Sequence, residues 1–180
     1  MLKGCKQKDG NHGIEEEDDS DGQLICTMRG KDWEPLPYPI IVDSGASAST
    51  LPRDWCNHVK LWETPESRVG QGFHAANGEE IPNLGRRDVT LMTREGAIRD
   101  MKFEVCSVTR ALGSVSQMCK AGHKVIFNPP WDPEGSYIEH LETGQRMWMN
   151  EKDGIYLLDV RVAPENRQSA NSLDFPRPGP

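Results

Sequence analysis

The sequence predicts a mainly β chain with little helix. Three observations carry that reading. A series of short apolar runs of strand length is bounded throughout by turn-forming residues. Asp88-Val89-Thr90-Leu91 and Lys102-Phe103-Glu104-Val105 alternate polar and apolar residues, as half-buried strands do. Asn77-Gly78, Glu95-Gly96 and Asp153-Gly154 supply the turn chemistry that joins neighbouring strands.

In chain order, residues 1–23 are polar and carry EEEDDSD, six acids in the seven positions from Glu15 to Asp21. Like charges repel and nothing apolar offsets the ordering entropy, so this arm is expected to be disordered. Strands are expected at QLICTMRG (23–30), YPIIVDS (38–44), DVTLMT (88–93), MKFEVCSV (101–108), KVIF (124–127), SYIEHL (136–141), QRMWMN (145–150) and GIYLLDV (154–160). Two segments read as helix. One is short, over Arg53–Lys60. The other follows Gly113, with Val115, Met118 and Cys119 on one face and Gly122 closing it. The last stretch, 163–180, is rich in Pro, Ser and Asn and is expected to be loose.

The bulk numbers bound the function. The 180 residues suffice for one domain and a little more, and the 36% hydrophobic share leaves part of the chain outside any core. A net charge of −7 argues against nucleic-acid binding, which needs a basic face. No apolar run approaches the ~20 residues that span a bilayer, and the N-terminus has no apolar stretch of a signal peptide. Five cysteines at scattered spacings fit reduced thiols and a cytoplasmic setting better than a disulfide framework.

The candidate chemistry centres on Asp43. Asp43-Ser44-Gly45 is by itself a common turn, because Asp bonds its own backbone and Gly tolerates positive φ. Its setting adds a second reading. A buried run, Ile40-Ile41-Val42, delivers the carboxylate; Gly45 leaves room for a second backbone, and small residues follow from Ala46 to Ser49. A carboxylate doing acid–base hydrolysis needs a partner, because two close carboxylates share a proton and divide the roles of acid and base. The chain holds no second Asp-Ser/Thr-Gly. A dyad would therefore take its other Asp43 from a second copy, across a two-fold axis.

At these residues the sequence resembles the retropepsin-type aspartic proteases of retroviruses and retrotransposons. Ile40 to Ala46 is similar to their active-site loop, and Phe73 to Ile81 with Leu84-Gly85 to their flap hairpin. Ala111-Leu112-Gly113 is similar to the hydrophobic-hydrophobic-Gly that packs behind the catalytic loop. Farther on, Ser114 to Cys119, Gly122 to Phe127 and Gly154 to Asp159 resemble the stretch between protease and integrase in copia-type polyproteins. The resemblance implies a closed β-barrel with one short helix, formed by residues 24–127, then a few extra strands over 128–162. It implies an aspartic endopeptidase that processes a retrotransposon polyprotein as a homodimer. Asp43 is then catalytic, Ser44, Gly45 and Ala46 shape the loop, Ala76, Asn77 and Gly78 form the flap tip, and Leu112 and Gly113 support it. The substrate would be an extended polypeptide, and no cofactor or metal is implied. With no Cys-x-x-Cys knuckle upstream and no integrase downstream, the chain is expected to be a fragment or an isolated copy.

Other readings stand beside this one. The domain would, if inactive, serve as a dimerisation or peptide-binding module. Gly45-Ala46-Ser47-Ala48-Ser49 nearly makes a nucleophile elbow, which would make Ser47 a serine-hydrolase nucleophile. Gly70-Gln71-Gly72 to Ala75 fits a dinucleotide fingerprint without the strand and helix it requires. Cys119 with His123, and Cys56 with His58, are spaced as metal ligands, but no four-ligand pattern emerges and Cys119 reads as a core residue. The five tryptophans read as packing, and Gly85-Arg86-Arg87-Asp88 as a solvated turn.

Overall fold

A computed structural model describes residues 33–75 and 78–164. The acidic arm, the expected strand at 23–30, Cys5, Cys26, the hairpin tip residues Ala76 and Asn77, and the tail from residue 165 lie outside the described residues. The described chain is mainly β, with a large curled sheet and two short helices.

The strands are β1 (Glu34–Pro35), β2 (Ile40–Asp43), β3 (Thr50–Pro52), β4 (Phe73–His74), β5 (Glu80–Ile81), β6 (Asn83–Thr93), β7 (Ile98–Cys106), β8 (Leu112–Ser114), β9 (His123–Ile126), β10 (Ser136–His140), β11 (Arg146–Lys152), β12 (Ile155–Leu158) and β13 (Val160–Val162). The helices are α1 (Pro65–Arg68) and α2 (Val115–Lys120). Eleven strands form one sheet in the order β1-β13-β6-β7-β3-β8-β2-β12-β11-β10-β9, and β4 and β5 form a separate hairpin. The resemblance implied a closed barrel; among the described residues the sheet instead has two ends, β1 and β9.

The sheet curls because its long apolar face has to be covered by its own far half. Val89, Leu91 and Phe103 from β6 and β7 share one buried cluster with Ile138, Met147 and Met149 from β10 and β11. Polar ties close the same approach: Glu95 accepts the Trp148 N–H, and Arg99 donates to Gln145. Ile40, Val42, Leu51 and Val105 carry the cluster through the middle of the sheet.

Sheet pairing runs across residue 127, where the resemblance ended the protease. Tyr156, Leu157 and Leu158 pair with Val42, Ile41 and Ile40, and Val160 to Val162 pair with Thr93 to Leu91. Residues 155–162 thus add strands beside the segment that carries Asp43. The Asp153-Gly154 turn that feeds β12 has positive φ at both residues, 54° and 80°, which is the hairpin turn its sequence calls for.

Several sequence expectations are corrected. Arg53–Lys60 is a string of turns, not a helix, and the first helix forms at Pro65–Arg68. There Thr64 and Ser67 bond each other's backbone N–H, and Pro65 needs no donor at the first position. β6 begins at Asn83, so Gly85 to Asp88 belongs to a strand and not to a solvated turn. Cys119 is exposed, because α2 ends one residue later and only Val115 and Met118 reach the cluster. Trp131 is 83% exposed and Trp62 is exposed beneath Lys60, so these two tryptophans do not serve as core packing.

Arg87 explains the first correction. Its side chain is buried, and its guanidinium donates to the carbonyls of Arg53 and Trp55 and to Asn57 Oδ1. Those carbonyls would otherwise be buried without the bonds a helix provides. Cys56 takes φ 57° between them, and burial pushes its thiol up to about 11. Burial also lowers the proton affinity of Arg87, yet its fork geometry suits three diverging acceptors. Arg87→Ala is therefore expected to cost about 2–4 kcal/mol in chemical unfolding. Arg87→Lys, with the charge but not the fork, should recover less than half of that loss.

Candidate active site

Asp43 ends β2, with a neighbour on each side. β8 runs parallel to it, matching Ile41, Val42 and Asp43 to Leu112, Gly113 and Ser114; β12 runs antiparallel on the other edge. Ile40 and Val42 face the core, and alternation sends the half-buried side chains of Ile41 and Asp43 to the opposite face. Asp43 Oδ1 accepts the Gly45 N–H at 2.7 Å. A Cβ on Gly45 would stand 3.3 Å from that same oxygen, so glycine keeps the turn tight against the carboxylate. Among the described residues no ion pair reaches Asp43.

The rest of the loop is anchored by α2. Ser114 caps the helix, accepting the Gln117 N–H at 3.4 Å. Gln117 does not return the bond to Ser114, as a capping box would. Its Oε1 accepts the Ser49 N–H at 2.9 Å, and Ser49 Oγ accepts the Ser114 N–H at 3.0 Å. Three residues thus close a ring of hydrogen bonds between loop and helix. Ser114 Oγ also donates to the Ala46 carbonyl at 2.6 Å. Ser49 and Ser114 are 1% and 0% exposed, so the bond between them is made out of water, and the bonds to Gln117 and Ala46 are half-buried.

The sequence-predicted residues fall in three groups. Leu112 and Gly113 stand one strand over from Asp43, and Ala111, fully buried, gives its carbonyl to the Ile41 N–H at 3.0 Å. A Cβ on Gly113 would meet Ile40 Cγ2 at 3.2 Å and Met118 Cε at 2.7 Å, so a larger residue here would have to displace the end of Met118 and press on Ile40. Ser44, Gly45 and Ala46 form the turn after the strand, the first two exposed. The hairpin is β4 paired with β5, Phe73 opposite Ile81 and His74 opposite Glu80. Gly78 takes φ 84° and donates to the Ala75 carbonyl at 2.8 Å; the tip residues Ala76 and Asn77 are not among those described.

Ser47 does not sit on an elbow. The chain passes from β2 through residues 44–49 into β3, not into a helix, and Ser47 is exposed. The Gly70 fingerprint likewise lies between α1 and the β4–β5 hairpin, with no helix after it. Among the described residues no three His, Cys, Asp or Glu side chains are grouped to hold a metal, and Cys56, Cys106 and Cys119 are free thiols. No helix among them is long and apolar enough to cross a membrane.

Sequence reasoning missed Ser49, Ser114 and Gln117 as the loop's anchors. One signal was present, since Ser114-x-x-Gln117 has the spacing of a capping box. Its diversion to Ser49 depends on a fold that brings together residues 68 positions apart. Comparison with protein-family models, with curated proteins and with solved structures finds no match.

The anchors and the exposed serine should separate cleanly. Ser49→Ala leaves the buried Ser114 N–H without an acceptor and is expected to cost about 1–3 kcal/mol in urea unfolding. Ser47→Ala, on the same loop but in solvent, should stay within about 0.5 kcal/mol.

Proposed function

We propose that the chain is a retropepsin-like aspartic endopeptidase of the copia-type retrotransposon class, active as a homodimer on extended polypeptides. The observation that carries this reading is the setting of Asp43. A single carboxylate stands at the end of a buried strand, pinned by the Gly45 N–H, in a loop tied at its far end to the helix that follows Gly113 and Ser114. That is more constraint than a surface turn needs.

In this reading two Asp43 carboxylates face each other across a two-fold axis and hold a water between them. They share one proton, since two like charges at such range do not both ionise. The ionised member takes a proton from the water as it attacks the peptide carbonyl, and the protonated member donates toward the carbonyl oxygen. The β4–β5 hairpin acts as a flap over the peptide, which is held as an added strand by main-chain bonds. No cofactor takes part. A cytoplasmic setting and the processing of a polyprotein belong to the same proposal.

The test is cleavage of an unfolded polypeptide at mildly acidic pH, wild type beside Asp43→Asn. Asp43→Asn is expected to lower the rate by at least about a hundredfold, the usual scale for removing an acid–base group. Ser47→Ala should leave it unchanged. Specific activity should rise with protein concentration in step with the dimer fraction seen by sedimentation. Equal rates for wild type and Asp43→Asn would sink the aspartic mechanism. A dimer that binds the polypeptide uncut would make the domain a binding module.

A further inference from the structure

Away from Asp43, two histidines meet at the end of the sheet. His123 opens β9 and His140 closes β10, and the two are direct cross-strand partners. Their rings lie 4.9 Å apart between centroids, edge to face at 66°. His140 Nδ1 accepts the Thr143 N–H at 3.3 Å and lies 3.0 Å from Thr143 Oγ1. His123 is the unusual member: Nδ1 and Nε2 are both closed to solvent and have no hydrogen-bond partner.

The surroundings of His123 come from three elements. β10 contributes His140, β7 contributes Arg99, and the Met118 and Ala121 backbone of α2 and its cap acts on the ring electrostatically without giving it a hydrogen bond of ordinary geometry. The titratable and charged neighbours are both basic, and none of the groups acting on His123 is a carboxylate. Neutral rings pack edge to face without difficulty. Two imidazolium rings at the same separation repel, with no counter-charge between them.

We propose that the His123–His140 contact is an acid-sensitive latch: in acid the buried His123 ring takes up a proton, the rings part, and β9 comes away from β10 with the C-terminal turn of α2. Burial first, and then the His140 charge, hold the proton affinity of His123 below its ordinary value; the Met118 and Ala121 carbonyls offset part of this. The unfolded chain therefore binds more protons at this position than the folded one. The contribution to stability is complete above the ordinary histidine value of 6.5 and shrinks as the pH falls below it. β9 yields first because it is an end strand among the described residues, paired on one side only. The same α2 holds the Asp43 loop through Ser114 and Gln117, so the latch acts on the helix at its opposite end.

Hydrogen exchange of the full chain at pH 7 and pH 5, corrected for intrinsic rates, tests the latch. Amides of residues 119–126 are expected to lose protection at pH 5, about tenfold for each pH unit of lowered proton affinity, while β6 and β7 amides hold theirs. His123→Phe keeps a ring but cannot titrate, and should abolish the acid loss; His140→Phe serves if that variant does not fold. Equal protection at both pH values, an undiminished loss in the variant, or a uniform loss across β6 and β7 would each overturn the proposal. A ¹⁵N-histidine titration of the wild-type chain needs no variant. His123 should take its proton below the ordinary histidine range, and titration within that range is also an overturning result.

Discussion

The ring of hydrogen bonds among Ser49, Gln117 and Ser114 is the constraint on which the candidate site depends. β2 by itself fixes Asp43 only up to the end of the strand, after which the chain must turn and return as β3. Small residues, three of the five from Ser44 to Ala48 exposed, bring little apolar surface to order that return. The ring supplies the order from the far side. Ser49 spends its N–H on Gln117, its carbonyl on the Glu104 N–H and its hydroxyl on Ser114, so none of its polar groups is left for water. Because both serines are buried, opening the ring would strand donors and acceptors in a dry site, and each partner makes the others costlier to lose.

This arrangement works only if α2 starts immediately after β8. At Gly113, beside Val42 on the neighbouring strand, Met118 and Ile40 fill the space where a side chain would have stood. Ser114 then leaves the strand and caps the helix in a single residue. The β12 strand completes the frame from the other edge, so β2 is paired on both sides at Ile41 and Val42. A strand held that way cannot shift register without sending Asp43 into the core and Val42 to the surface. The segment after residue 127 is therefore part of what aims the carboxylate.

The sequence was most readable where local chemistry and tertiary packing agree. The strands over 88–93 and 101–106, the Asp153-Gly154 turn and the helix after Gly113 all needed only periodicity or turn preference, and the structure has them at those places, although Thr90, polar in the alternation Asp88 to Leu91, is buried. It was least readable where a distant side chain decides. Arg53–Lys60 carries helix-compatible residues, yet Arg87, more than twenty-five positions away in sequence, takes the carbonyls that a helix would have used. Gly85 to Asp88 looked solvent-borne because charges usually are. Only the fold shows that Arg87 points inward while Arg86 pairs with Asp88 outside. The same limit applied to the site: Asp43, Gly45 and Gly113 were legible as a motif, and the serine–glutamine ring that joins them to α2 was not.

One electrostatic feature bears on how the proposed pair of sites would work. Asp43 receives a backbone N–H and, among the described residues, no lysine, arginine or histidine partner. A cation beside the carboxylate would favour its charged form and let two such groups approach while both ionised. Without one, two copies that bring their loops together can relieve the repulsion only by retaining a proton between them. In the proposed dimer, the shared-proton state that the chemistry requires would also be the state that lets the two loops approach. The Asp43 loop itself is held by neutral groups, the Gly45 N–H and the serine–glutamine ring, and not by ion pairs among the described residues.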